Sequence, residues 1–427
     1  MAEVRPFKGI RYNLSAVKEP AAVIAQPYDI ISPADQEHLH QKNPYNIIRL
    51  EYGKSYPGNG AFNNRYTRAK VTFYRWLQEK ILLIDPQPGF YFHEQNYTFR
   101  KQTYRLRSIF AALKLEPYTN RVILPHESTL AGPKEDRYKL LEATRANFSP
   151  IFTLAPDPGN QMADFFSRVI KKEPLFESGE YSSSRHRLWT VTEPGLLEEI
   201  IASIKKQSLL LADGHHRYET ALNYLNRTDQ ERIPGAAYIL AALVSIHDPG
   251  LLMLPTHRLL SGLAKTQKTR LDKLIADQFI VTLEADPATL DKEKFLAELN
   301  RISFQKSGFG YITPQKACLL TPKINSGMPG KQAPAVSVLH ENLLNQVINN
   351  EIDHDSFTAK INFLHDFATA LNSVNAGSAD AAFIMGTFPV SKVFEETRQG
   401  RLLPQKSTYF FPKMPGGLVI YHMGKSL

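Results

Sequence analysis

Cysteine is almost absent: Cys318 is the single one in 427 residues. No intrachain disulfide can form, and that usage fits a reducing compartment. Long apolar runs are missing too, and the opening Met1-Ala2-Glu3-Val4-Arg5-Pro6 has no hydrophobic signal core, so the expected location is the cytoplasm, with no membrane partner. Lysine and arginine exceed the acids by nine charges, yet no block of five or six like charges occurs, nor a zinc-finger spacing or a basic region with heptads. Nucleic acid is therefore not an expected partner. The common phosphate cradles are lacking as well. Gly330-Lys331 has neither the hydroxyl nor the spacing of a P-loop, and no dinucleotide fingerprint, nucleophile elbow or kinase catalytic loop is present. Internal repeats are absent.

What the chain has is ordinary globular composition, 43% hydrophobic and 22% charged, over a length sufficient for two or three domains. Its chemistry is concentrated in Leu209-Leu210-Leu211-Ala212-Asp213-Gly214-His215-His216-Arg217-Tyr218. The apolar run predicts a strand covered on both faces, Asp213-Gly214 a turn, and Tyr218, Ala221, Leu222 and Leu225 the inward face of a following helix. Asp213, His215, His216 and Arg217 then meet the free N–H groups of a helix start at a strand's carboxyl end, an arrangement suited to phosphate. Two other readings stand beside it. One is a solvated helix cap. The other is a metal site on His215 and Glu219, because the adjacent histidines point apart.

Around that stretch the pattern alternates. Val23 to Ile31 reads as strand and loop, Ser32-Pro33 as a helix start, Asn46 to Leu50 as a strand, and Asn63 to Lys80 as a helix burying Tyr66, Ala69, Phe73, Trp76 and Leu77. Phe90 to Leu115 reads as a hairpin with His93 on a wet face. Pro125-His126-Glu127 lies in a polar loop, where a glutamate beside a histidine can be tuned for acid/base work or can simply be solvated. Helices follow at Tyr138 to Ala146 and from Thr192 to about Gln207, then strands at Ile151 to Leu154, Ile239 to Ile246 and, last, Gly417 to Tyr421. Ser178 to Arg185 is a serine-rich connection and a candidate lid. Lys323 to Gln332 reads as a loop, and Cys318, within Ala317 to Leu320, as a core thiol. The expected fold is mixed α/β (α+β), with segments 1–104, 105–248 and 249–427.

Several motifs resemble the domain-of-unknown-function 1015 family: Arg5-Pro6-Phe7, Gln26-Pro27-Tyr28-Asp29, Pro125-His126-Glu127, Lys134-Glu135-Asp136-Arg137, Asn147-Phe148-Ser149-Pro150, Ala212 to Tyr218, Thr256-His257-Arg258 and Pro404 to Tyr409. The middle of the chain is similar to the ParB/sulfiredoxin superfamily and its free-serine kinases. That resemblance implies a ParB/sulfiredoxin-like core with N- and C-terminal α/β additions, and a kinase forming O-phospho-L-serine with Mg²⁺ from pyrophosphate or a nucleotide (ATP or ADP). It further implies that Glu127, helped by His126, takes the serine proton and that Asp213 takes part in catalysis and holds Mg²⁺. Gly214, His215, His216, Arg217, Lys406 and Ser407 would bind phosphate, and Lys134, Arg137 and Arg258 the substrate. The alternatives are a ParB-like nucleotide- or DNA-binding module and a phosphohydrolase at the same anion site.

Overall fold

A computed structural model describes all residues except 128–131, 182, 229–230, 232, 324–332, 349–359, 388, 405 and 425–427. The chain forms two units, Met1–Leu252 together with Pro412–Leu427, and Met253–Phe411. This differs from the expected three segments. The line at 104/105 would cut a strand, and the last residues return to the first unit instead of staying with the second.

The first unit is built on a nine-stranded mixed sheet. Its strands are β1 (Val4–Arg5), β2 (Phe90–Phe99), β3 (Gln102–Lys114), β4 (Ile123–Pro125), β5 (Ile151–Ala155), β6 (Phe176–Glu177), β7 (Ser184–Val191), β8 (Leu209–Asp213) and β9 (Tyr238–Ser245). They run in the order β4-β8-β5-β9-β3-β2-β7-β6, with β1 pairing with β3. The β4–β8 and β5–β9 pairs are parallel, while β8 and β5 are antiparallel. β2 and β3 are the expected hairpin, and every residue of β5 is buried.

Local chemistry sets the helices. α1 (Pro33–Lys42) starts at Ser32, whose side chain accepts from the Asp35 N–H while Asp35 answers to the Ser32 N–H, with proline in the first turn. α2 (Arg65–Gln78) starts at Asn64 with Thr67 closing the same reciprocal cap, and it buries Ala69, Phe73 and Trp76. α3 (Gly132–Thr144) begins well before the expected Tyr138, because Lys134 to Arg137 are all charged and apolar periodicity does not register them. α4 (Gln161–Val169), α5 (Pro194–Lys205) and α6 (His215–Arg227) complete the main set.

Four expectations change. Asn46 to Leu50 is not a strand. Asn46 folds back, its amide donating to the Ala22 and Ile24 carbonyls, and a helical turn spans Ile48–Glu51. Val23 to Ile31 holds an isolated bridge at Ala25 and a 3₁₀ turn at Tyr28–Ile30 in place of a strand. The final strand is short, Tyr421–His422. His93 is fully buried, with Nδ1 3.0 Å from Ser108 Oγ and Nε2 3.0 Å from His186 Nδ1. The proposed lid is hydrogen-bonded at both described ends: Ser178 N–H donates to His186 O and Tyr181 N–H to Ser184 O. Ser182 lies outside the described residues.

The second unit carries a six-stranded sheet, antiparallel at every pairing. Its strands are β10 (His257–Leu260), β11 (Phe279–Ala285), β12 (Phe309–Ile312), β13 (Ala317–Pro322), β14 (Ile361–Leu364) and β15 (Ala381–Ile384). Phe295, Leu299 and Ile302 pack with Phe367, Leu371 and Val374 on its core. Cys318 is buried in β13, as expected. All but the first residue of the expected loop 323–332 lies outside the described residues. Among the described residues no helix is long and apolar enough to cross a membrane.

Candidate functional site

Parallel pairing builds the site. β8 lies beside β4 with Leu209 opposite Ile123, Leu210 opposite Leu124 and Leu211 opposite Pro125. Two parallel neighbours end on the same side of a sheet, so His126-Glu127 and Asp213-Gly214 emerge together. Leu209, Leu210 and Leu211 are wholly buried, which pins that register. Gly214 turns the chain into α6 at φ +88°, a conformation open to glycine. A Cβ there would meet Ile151 Cγ2 at 2.9 Å and the Arg217 guanidinium at 3.1 Å. Glycine therefore supplies both the turn and the clearance.

His126 is 1% exposed, and its Nδ1 donates to the Leu211 carbonyl at 2.7 Å. A carbonyl only accepts, so Nδ1 carries the proton of the neutral ring. The ring stands edge-on to His215, centroids 4.8 Å apart. The ring that the sequence assigns to proton transfer is thus buried, with its Nδ1 proton held by a backbone carbonyl. Glu127 reaches toward the helix start, Oε1 lying 3.9 Å from His215 Nδ1. His215 is buried, and burial first, then the charge it would share with His126, keeps its pKa well below the usual histidine range. His216 is half-buried. Burial lowers its pKa, while Glu219, Asp29 and Glu127 push it back up. The Nε2 atoms of both α6 histidines are buried with no hydrogen-bond partner among the described residues. Buried polar atoms beside a helix N-terminus are groups that a polar or anionic ligand could satisfy.

Asp213 anchors two cations. Lys413 pairs with Oδ1, and the Arg217 guanidinium donates to Oδ2 at 2.8 Å. Burial works to raise the Asp213 pKa, but Lys413 and Arg217 outweigh it and hold the carboxyl well below its ordinary range. Both oxygens are thus committed. Among the described residues no group of three or more His, Cys, Asp or Glu is placed to hold a metal ion. The expected Mg²⁺ ligand is instead a clamp that aims Lys413 and Arg217. The His215–Glu219 metal reading finds no support either, since Glu219 pairs with Lys134 at 2.5 Å.

Arg217 also donates to Pro150 O at 2.5 Å and Ser149 Oγ at 3.0 Å, and Ser149 Oγ donates to Glu51 at 3.1 Å. Arg137 donates to the same Glu51 carboxylate oxygen, Oε1, at 3.2 Å and to the Glu51 carbonyl at 2.9 Å, and also pairs with Asp136. Arg137, the expected substrate contact, is 5% exposed, with its guanidinium 3.9 Å from the Tyr28 ring. Lys134 stands half-exposed at the edge of this cluster. Arg258, Lys406 and Ser407 belong to the second unit. There Arg258 is wholly buried, donating to His340 Nε2 at 3.2 Å, to Thr256 O and to Lys406 O at 3.2 Å. Ser407 Oγ donates to Pro404 O. These bonds lie within the second unit, and Lys406 takes part in them through its backbone carbonyl.

Sequence reading missed Lys413, Glu51 and Ser149 as members of the cluster. Asn147-Phe148-Ser149-Pro150 was visible as a motif, but nothing local in Pro412-Lys413 signals that its ammonium meets a carboxylate two hundred positions earlier.

A mixed α/β protein with a polar helix start at the carboxyl ends of two parallel strands is thus the class that fold and site define. The chain belongs to the family described as protein of unknown function DUF1015, whose model matches residues 4–343. No curated protein matches the sequence. Solved structures similar in part include a conserved hypothetical protein from Pyrococcus furiosus, at 15% identity and TM-score 0.35, covering 72% of this chain and 93% of that one. Another is a free serine kinase in complex with AMP, at 14% identity and TM-score 0.38, covering 72% and 90%. A mutant free serine kinase in complex with ADP gives 13% identity and TM-score 0.38, with coverage again 72% and 90%.

Proposed function

We propose that the N-terminus of α6 binds the phosphate of a donor and that Glu127 activates an alcohol, which makes the chain a small-molecule kinase acting on free L-serine. The observation that carries this reading is the approach of Glu127 to within 3.9 Å of His215 Nδ1, at a helix start where two buried imidazole nitrogens have no hydrogen-bond partner among the described residues. The free N–H groups, Arg217 and Lys413 supply positive charge to a pyrophosphate or nucleotide donor. The acceptor hydroxyl gives its proton to Glu127, and its oxygen bonds to the terminal phosphorus. The bridging P–O bond then breaks, and the leaving phosphate carries off the bond's electron pair. Phosphoserine and orthophosphate, or the shortened nucleotide, result. Such transfer depends on positioning and charge far more than on covalent help from the protein. Mg²⁺ does not fit Asp213 as a ligand, since both oxygens are held by cations.

Glu127→Gln keeps the shape of the side chain and removes the base. Turnover of serine with pyrophosphate, ADP or ATP is expected to fall about a thousandfold while donor affinity holds. Phosphoserine formation at the wild-type rate in that variant overturns the assignment of Glu127. Phosphate release without acceptor, at a rate equal to that with serine, makes the protein a hydrolase instead.

A further inference from the structure

The acids around the start of α6 are nearly all spoken for. Asp213 holds Lys413 and Arg217. Glu51 holds Arg137 and Ser149. Asp136 holds Arg65, Arg137 and the Tyr66 hydroxyl. Glu219 holds Lys134, and Glu127 faces His215. Asp29 is different. It is exposed, and it has no ion-pair or hydrogen-bond partner among the described residues.

Its position is nevertheless fixed. Pro27 leads into the turn Tyr28–Ile30, and just before it the Gln26 N–H donates to the Tyr181 hydroxyl at 2.9 Å. The Tyr28 ring lies 3.9 Å from the Arg137 guanidinium and 6.3 Å from the Tyr52 ring. Arg137 connects through Glu51 and Ser149 to Arg217, in the first turn of α6. The negative charge of Asp29 is felt at His216. The turn thus carries an exposed carboxylate one residue from the ring that packs on Arg137, beside a cluster otherwise arranged for anions. For a phosphate donor alone such a charge is repulsive. It becomes favourable when the second substrate brings a cation.

We infer that Asp29 binds the ammonium group of the phosphoryl acceptor, so that the site selects amino alcohols over neutral or purely anionic ones. This rests on the phosphotransferase reading above, which the test separates from it. Full-length wild type and Asp29→Asn are compared with three acceptors: L-serine, ethanolamine (no carboxylate) and 3-hydroxypropionate (no ammonium). Binding to the donor-free protein is measured by calorimetry, and transfer by phosphorus NMR. Loss of one charge-assisted contact is expected to weaken serine and ethanolamine about tenfold and raise their KM equally. Binding of 3-hydroxypropionate and the donor KM stay as they were. Asp29→Glu should recover part of the loss.

Equal weakening of all three acceptors, or of none, overturns the inference. Serine phosphorylation with an unchanged KM in Asp29→Asn sinks it alone and leaves the kinase reading standing. Ammonium-dependent, Asp29-dependent binding without transfer from any donor does the reverse. Failure of wild type to bind any of the three removes both.

Discussion

Replacing Lys413 with methionine tests whether the clamp on Asp213 is what organises the site. Lys413 is 10% and Asp213 13% exposed, so the pair is shielded from solvent. Breaking a buried ion pair by removing one partner costs ~3–5 kcal/mol. Here Arg217 keeps its 2.8 Å contact, so a smaller local cost of about 2 kcal/mol is expected. That corresponds to about thirtyfold more frequent local opening, readable as faster amide hydrogen exchange in Leu209–Asp213 and the first turn of α6. The effect has a signature in pH. The folded pKa of Asp213 is depressed, so its ion pairs stabilise fully above the unfolded value of about 3.9 and lose that contribution as pH falls through the folded one. The difference between wild type and Lys413→Met should therefore be full at pH 7 and shrink below about pH 4. Lys413→Arg, which keeps the charge, should retain most of the protection. Unchanged exchange at pH 7 in the methionine variant, or a difference that persists undiminished in acid, refutes the reasoning.

Gly214→Ala should lower the melting temperature and weaken donor binding together. A left-handed alanine costs ~1–2 kcal/mol, and its methyl meets Ile151 at 2.9 Å and Arg217 at 3.1 Å; a stable, donor-competent variant contradicts the account of the turn. Acid should also unfold the protein through its buried histidines. Burial holds His186 to about 3 against about 6.5 unfolded, so the folded state binds fewer protons and loses ~1.4 kcal/mol per pH unit below 6.5 for that residue. His186→Gln should flatten the fall in melting temperature between pH 6.5 and 4, and an unchanged slope shows that His186 titrates normally in the fold.

Much of the central element was legible because its signals are local and agree with one another. Leu209 to Leu211 form one apolar run, Gly214 supplies the turn, and Tyr218 and Ala221 face inward as their spacing requires. The hairpin of β2 and β3 was legible for the same reason. Asn46 to Leu50 misled because a short apolar run does not separate a strand from a helical turn, and the buried Asn46 amide settled it through partners far away in sequence. His93 misled because a histidine in a sheet is wet only if nothing inside answers it, and His186, contributed by β7, does. The closeness of His126 to Asp213 depends on parallel pairing across some ninety residues, which motif order suggested and local pattern could not. The expected boundary at 104/105 had no composition shift behind it, and strand pairing erases it.

The return of the chain to the first unit at Pro412 has a consequence for synthesis. Asp213, Gly214 and Arg217 leave the ribosome long before Lys413 does, because the whole second unit is translated in between. Throughout that interval the carboxylate has one of its two cations and the sheet end is unfinished. The nascent chain thus completes the Asp213 clamp only after the whole second unit has been made, and a substitution near Lys413 strikes a cluster whose sequence motif was laid down far earlier.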